Sequence, residues 1–209
     1  DGQSIGLDVS PPINFGDVRF DAPAVNSALV TITNTGESTL RVDSITSGGA
    51  PFTIVNAPAL PATLNLNQTA TFRIRLTPTA ALGTVMKTIT VGGVFTVSGT
   101  MASSTITATA RITAPQVAMT TDTLDFGMFD VDDPGTPVTR SVTITNTADA
   151  ATGSDLHITA PVLTSGAPDF AIVGGGPVTV PVGGSAPLMI RFAPTTAGPK
   201  TGQVTLGID

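Results

Sequence analysis

Val30-Thr31-Ile32-Thr33-Asn34-Thr35 returns letter for letter as Val142-Thr143-Ile144-Thr145-Asn146-Thr147, and this pair decides the fold. In each copy β-branched residues alternate with polar-capable ones and then meet an Asn-Thr turn, the signature of a half-buried strand entering a hairpin. Working outward, the flanks match too. Upstream, Leu124-Asp125-Phe126-Gly127 answers Ile13-Asn14-Phe15-Gly16. Downstream, Thr164-Ser165-Gly166-Ala167-Pro168 answers Ser47-Gly48-Gly49-Ala50-Pro51, and Phe170-Ala171-Ile172-Val173 answers Phe52-Thr53-Ile54-Val55. Ile190-Arg191-Phe192-Ala193-Pro194-Thr195 answers Ile74-Arg75-Leu76-Thr77-Pro78-Thr79. The spacing between counterparts drifts little, so insertions fall in loops.

The duplication divides the 209 residues into units 1–113 and 114–209, with Thr113-Ala114-Pro115-Gln116 as the linker. No window carries apolar residues at the i, i+3, i+4, i+7 spacing of a helix. Short period-two runs separated by Gly, Pro, Asn and Ser predict an all-β protein, an antiparallel sandwich of seven-strand type built twice. Ile32, Phe52, Ile54, Ile74 and Leu76 are expected in the first core, with Ile144, Phe170, Ile172, Ile190 and Phe192 at matching places in the second. In the first unit, runs around Lys87 to Val91 and Thr105 to Ile112 read as the last two strands. Val94 to Val97 reads as a hairpin-like insert between them.

Composition narrows the function classes. The chain has no Cys, Trp or Tyr, one Glu (Glu37) and one His (His157), which removes most side chains from which active sites are made. Apolar residues are 41% and charged ones only 11%, enough for a core and too ordered a mixture for wholesale disorder. A net charge of −6 with scattered Arg and Lys argues against nucleic acid as a partner. No apolar run approaches the roughly 20 residues of a membrane helix, so no membrane insertion is expected, and the chain does not open on a signal-peptide pattern. The absence of Cys suits a reducing cytosol or a secreted bacterial β protein equally.

The opening Ile/Leu-Asx-Phe-Gly, the strand Val-Thr-Ile-Thr-Asn-Thr, the Ala-Pro-Asp-Phe-Ala-Ile stretch at 167–172 and Arg191-Phe192-Ala193-Pro194-Thr195 with Gly198 resemble Ig-like modules of the ASH/hydin type. These are relatives of the major sperm protein and PapD-like sandwiches, and bacterial surface proteins with a choice-of-anchor D module are the closer likeness. The resemblance spans nearly the whole chain. It implies two tandem Ig-like sandwiches serving as stalk, scaffold or binding module, without a shared active site.

The candidates for chemistry each have a plain structural account. His157 with Asp155 could form a dyad, yet His157 takes the place of Arg41 in the repeat, on the outward face of a strand. Asp130, Asp132 and Asp133 form an acidic loop of the kind that can hold calcium, or a solvated loop, since ligand order is wrong for an EF-hand and the first unit has no counterpart. Asn67-Gln68-Thr69 is a formal glycosylation sequon that aligns with the turn Gly183-Gly184-Ser185. Phe15-Gly16 and Phe126-Gly127 read as buried rings beside a bend, or as an aromatic hotspot. Arg75 and Arg191 recur at one position, as outward strand residues or as anchors for a carboxylate. No cofactor is expected.

The two copies stop agreeing at the end. Beyond Ile89 and Val91 the first unit continues through the alternating run to Ile112, whereas the matching Gln203-Val204-Thr205-Leu206 is followed by only three residues. The second sandwich is therefore expected to lack its final strand. Either the chain was cut from a longer protein or a strand from a neighbour completes the sheet by β-augmentation. The expected donor in an identical neighbour is Ile5-Gly6-Leu7-Asp8-Val9, a run that equally reads as the first strand of its own domain, and the expected acceptor edge carries Val204 and Leu206.

The resulting expectation is a non-catalytic extracellular structural or adhesive protein, part of a bacterial surface stalk, filament or sheath. Its partners would be identical subunits or another surface protein. A glycan- or receptor-binding module and an accessory domain of a larger secreted enzyme are the alternatives. The first is disfavoured by the lack of Trp and Tyr to stack on sugars.

Overall fold

The structure, a computed structural model, describes residues 6–131 and 137–208. It is all-β and divides into two compact units, Asp1–Thr113 and Ala114–Asp209.

Unit 1 has ten strands: β1 (Leu7–Ser10), β2 (Ile13–Arg19), β3 (Val25–Asn26), β4 (Val30–Asn34), β5 (Leu40–Thr46), β6 (Phe52–Val55), β7 (Ala62–Leu64), β8 (Thr69–Leu76), β9 (Gly83–Phe95) and β10 (Met101–Thr113). One sheet runs β1-β4-β8-β3 with β6 on the other side of β8, and the second runs β2-β10-β9-β5-β7. Period-two alternation puts one side of each strand inside: Val30 and Ile32 of β4, Phe72, Ile74 and Leu76 of β8, and Ile89 and Val91 of β9 are all buried. Ile32, Phe52, Ile74 and Leu76 are core residues, as the pattern predicts. Ile54 is only half-buried, because β6 lies at the outer edge of β8.

Two features of unit 1 depart from the sequence reading. The Val94 to Val97 stretch is not an insert: β9 continues through Phe95 and turns directly into β10, making one hairpin of two 13-residue strands. Gly92 and Gly93 permit this continuation, since a Cβ on Gly93 would lie 2.3 Å from the Arg41 carbonyl oxygen where β5 is bulged between Val42 and Ser44. Nor is the sandwich wholly antiparallel. β10 runs antiparallel to β9 on one side and parallel to β2 on the other, pairing Ala108 with Ile13 and Ile112 with Val18.

Unit 2 repeats most of this plan with β11 (Val117–Met119), β12 (Val138–Asn146), β13 (Leu156–Ile158), β14 (Val162–Ser165), β15 (Phe170–Gly174), β16 (Val178–Val180), β17 (Ser185–Phe192) and β18 (Gln203–Thr205). Register carries over between the units. Leu7↔Asn34 returns as Val117↔Asn146, Leu40↔Leu64 as Leu156↔Val180, and Phe52↔Leu76 as Phe170↔Phe192. Ile144, Phe170, Ile190 and Phe192 are in the second core, and Ile172 on the edge strand β15 is half-buried like Ile54. The chain is thus two tandem Ig-like sandwiches, antiparallel except for the β2–β10 ladder of unit 1. Among the described residues, unit 2 has no strand corresponding to β2 or β10.

The repeated asparagine is more than a turn residue. Asn34 is fully buried, and its Nδ2 donates to the carbonyls of Ser38 and Leu64, both at 2.9 Å, while Oδ1 accepts from Gly36 N–H at 3.0 Å. Asn146 repeats the arrangement, donating to Ser154 O at 2.9 Å and Val180 O at 3.1 Å and accepting from Ala148 N–H at 3.2 Å. A side-chain amide has both donors and acceptors, so one residue satisfies buried backbone groups of three segments where the strand leaves the sheet.

Candidate functional site

The site lies where the described residues of unit 2 have no counterpart of β2 and β10. In unit 1, β10 lies between β2 and β9 and sends Ile106, Ala108, Ala110 and Ile112 into the core. In unit 2 the strand matching β9 is β18, which pairs with β14 along one edge; among the described residues no strand pairs with its other edge. Across from that edge runs the segment Thr121 to Phe126, in the place of β2. It is not a strand, although Leu124-Asp125-Phe126-Gly127 so closely matches Ile13-Asn14-Phe15-Gly16. The local turn is kept: Gly127 N–H donates to Asp125 Oδ1 at 2.8 Å as Gly16 N–H does to Asn14 Oδ1 at 2.9 Å. What is lost is the ladder, because β2 owes its strand character to β10 beside it.

Between these two margins lies a groove of about 700 Å³, floored by Val142, Phe170, Leu188 and Ile190 and edged by Val204 and Leu206. The floor is buried core that is covered slightly less completely than its counterpart in unit 1. Phe52, Phe72, Ile74 and Ile89 are 0% exposed, whereas their counterparts Phe170, Leu188 and Ile190 are 9%, 5% and 6% exposed and Val204 is half-buried. Phe126 stays folded over the floor, its ring centroid 5.7 Å from that of Phe170 and 5.4 Å from that of Phe192; the Phe15–Phe52 separation is also 5.7 Å, but that pair is stacked where Phe126 meets Phe170 edge-on. The two Phe rings thus pack half-buried against the cores, and the glycines beside them are exposed. At one end of the groove Lys200 is bound to Asp169 at 3.2 Å, which fixes the loop leading into β18.

The donor expectation is corrected here. Leu7 and Val9 belong to β1, which pairs with β4 of its own unit through Leu7↔Asn34 and Val9↔Ile32, and Val9 is in the core of unit 1. Withdrawing them would uncover that core. Ile5 lies outside the described residues. Val204 and Leu206, by contrast, line the groove.

The remaining candidates are placed as follows. His157 is exposed on β13, its Nδ1 3.0 Å from Thr179 Oγ1 rather than bonded to Asp155, and it sits opposite Thr179 as Arg41 sits opposite Thr63. Asp132 and Asp133 lie outside the described residues, and Asp130 is exposed. Among the described residues no group of three or more His, Asp or Glu side chains is placed to hold a metal ion. Asn67 has a φ of +61° and its N–H donates to Asn34 O at 2.8 Å, while Gly183, at φ +75°, does the same to Asn146 O at 2.9 Å, so the sequon forms a tight turn. Arg75 and Arg191 point outward. Sequence reasoning passed over the two buried asparagines and the parallel β2–β10 ladder. The exact repeat of Asn34 at Asn146 was the signal available for the first.

No protein-family model matches the chain, and no curated protein matches it. Solved structures are similar in fold at low identity. One, from Porphyromonas gingivalis and of unknown function, is 15% identical, covers 90% of this chain and 83% of its own, and has a TM-score of 0.42. The E. coli chaperone DraB is 15% identical over 97% of this chain and 92% of its own, with a TM-score of 0.37. An ASH/PapD-like domain of human CEP192 is 9% identical over 51% of this chain and 84% of its own, with a TM-score of 0.34.

Proposed function

We propose that the chain is a non-catalytic structural protein of the bacterial cell surface, part of a stalk, filament or sheath, in which unit 2 is joined to a protein neighbour by a strand taken into its groove. The observation that supports this reading is the groove itself, apolar along its floor and bordered by the edge of β18 that has no strand partner among the described residues. A strand edge without a partner beside an apolar groove invites strand pairing, which supplies backbone hydrogen bonds for affinity and alternate side-chain pockets for specificity. Unit 1, whose sheet has β10 in the corresponding place, would act as a spacer. The first-unit strand β1 is committed to its own sandwich, so the donated strand comes from another segment.

The test is a photo-crosslinking side chain in place of the exposed Thr205, on the free-edged β18, expressed in the native bacterium. Irradiation of intact cells is expected to give covalent adducts with a protein, and antibodies are expected to reach the chain without permeabilisation. Absence of adducts, or labelling only after permeabilisation, refutes the reading.

A further inference from the structure

We infer that the groove of unit 2 takes an extended segment of the β10 kind: antiparallel to β18, parallel to Thr121–Phe126, with branched aliphatic residues at the ends of its inward face and small residues in the middle. This rests on the strand-accepting reading and specifies its ligand. Polarity follows from the duplication. β18 corresponds to β9 and the Leu124–Gly127 segment to β2, and the strand that fits between their counterparts is antiparallel to the first and parallel to the second.

The side-chain pattern follows from the floor. In unit 1 the inward face of β10 reads Ile106, Ala108, Ala110, Ile112. Ala108 pairs with Ile13 and Arg111 with Asp17, with a register irregularity between, so Ala110 stands abreast of Phe15. A larger side chain there would meet the ring that Phe15 stacks on Phe52. Unit 2 keeps the equivalent ring pair, Phe126 and Phe170, at the same 5.7 Å separation. A strand entering the groove must therefore be narrow where it passes Phe126, and can be wide where it covers Val204 and Leu206 at one end and where it meets Phe129, which stands in the place of the Val18 that pairs with Ile112, at the other. Its outward positions face water, as Thr105, Thr107 and Thr109 do on β10, and polar β-branched residues suit them.

The full chain is titrated with a synthetic peptide of the sequence Ser103–Thr113, and amide hydrogen exchange is followed by mass spectrometry. Saturating peptide is expected to slow exchange at least tenfold at Gln203–Leu206 and around Leu124–Phe126, leaving β10 of unit 1 as protected as before. The peptide carrying Ala110→Phe, and the one carrying Ile106→Asp and Ile112→Asp, are expected to bind at least tenfold more weakly. A peptide with the sequence reversed is expected to give no protection. The inference is overturned if the native peptide leaves Gln203–Leu206 exchanging freely, or if the altered or reversed peptides bind as well as the native one. Adducts at Thr205 on cells together with a silent native peptide would overturn this inference and leave the surface reading standing. A binding peptide without such adducts would do the reverse.

Discussion

Replacing Asn34 with alanine tests whether the repeated asparagine organises each sandwich. The substitution removes three hydrogen bonds from a fully buried side chain: two donated to Ser38 O and Leu64 O and one accepted from Gly36 N–H. At about 1 kcal/mol net for each bond, with a further penalty for buried backbone groups left without a partner, unit 1 should lose about 3–5 kcal/mol. That is a large part of the roughly 5–15 kcal/mol that stabilises an ordinary domain. With no Trp or Tyr in the chain, urea unfolding is followed by far-ultraviolet circular dichroism and assigned to the units by hydrogen exchange. For a slope of about 1–1.5 kcal/mol per molar urea, the midpoint of unit 1 should fall by about 2–5 M while β12 and β17 of unit 2 keep their protection. Asn34→Asp sharpens the test. Its carboxylate would face two carbonyl oxygens, so its folded pKa is raised, and the defect should be largest at neutral pH and shrink as the pH falls and the acid protonates. A loss below about 1 kcal/mol in Asn34→Ala, or a defect in Asn34→Asp that grows in acid, would refute the account.

Gly93→Ala should destabilise unit 1 by about 2 kcal/mol or more, since the new methyl would meet the Arg41 carbonyl at 2.3 Å; thermal unfolding of the variant checks it, and an unchanged midpoint would show that the bulge can relax. His157→Ala should leave the unfolding midpoint within about 0.5 kcal/mol of the parent, because the imidazole is exposed and its one partner is the Thr179 hydroxyl; loss of a measurable binding activity with the fold intact would overturn the non-catalytic reading. The Asp17 carboxyl is held below its ordinary pKa by its hydrogen bond to Arg111, a 2.7 Å contact at Arg111 Nε, opposed by desolvation. A depressed carboxylate stabilises above its unfolded pKa and loses that contribution as the pH falls through the folded value. The small stability difference between the parent and Asp17→Asn should therefore be present at neutral pH and close as the pH drops below about 4, as pH-dependent melting would show.

Alternation is a local property, and it located the strands that local sequence can specify. Thr71 to Leu76 reads as a strand, with Phe72, Ile74 and Leu76 on its inward face, and the structure agrees. Wherever a segment depends on a distant partner, the same letters have two outcomes. Ile13-Asn14-Phe15-Gly16 is part of a strand because β10 lies beside it, and Leu124-Asp125-Phe126-Gly127 is not. Leu7 and Val9 have the apolar period of a donor, but the same period serves a first strand, and only the pairing with β4 distinguishes them. That β18 has no strand on its other edge among the described residues is what comparing the two copies with each other leads one to expect. The depth of the groove, and the Phe126 ring that narrows it, required three dimensions.

The parallel ladder between β2 and β10 has a mechanical consequence. Tension entering unit 1 through β1 pulls on the N-terminal end of β2, and tension leaving through Thr113 pulls on the C-terminal end of β10. Two parallel neighbours drawn from opposite ends slide along each other, so their hydrogen bonds share the load together rather than opening one at a time. Unit 2 has no such ladder among its described residues until something fills the groove. The incoming strand would then be the element in shear, and the joint between neighbours would double as the part of unit 2 that resists being pulled open.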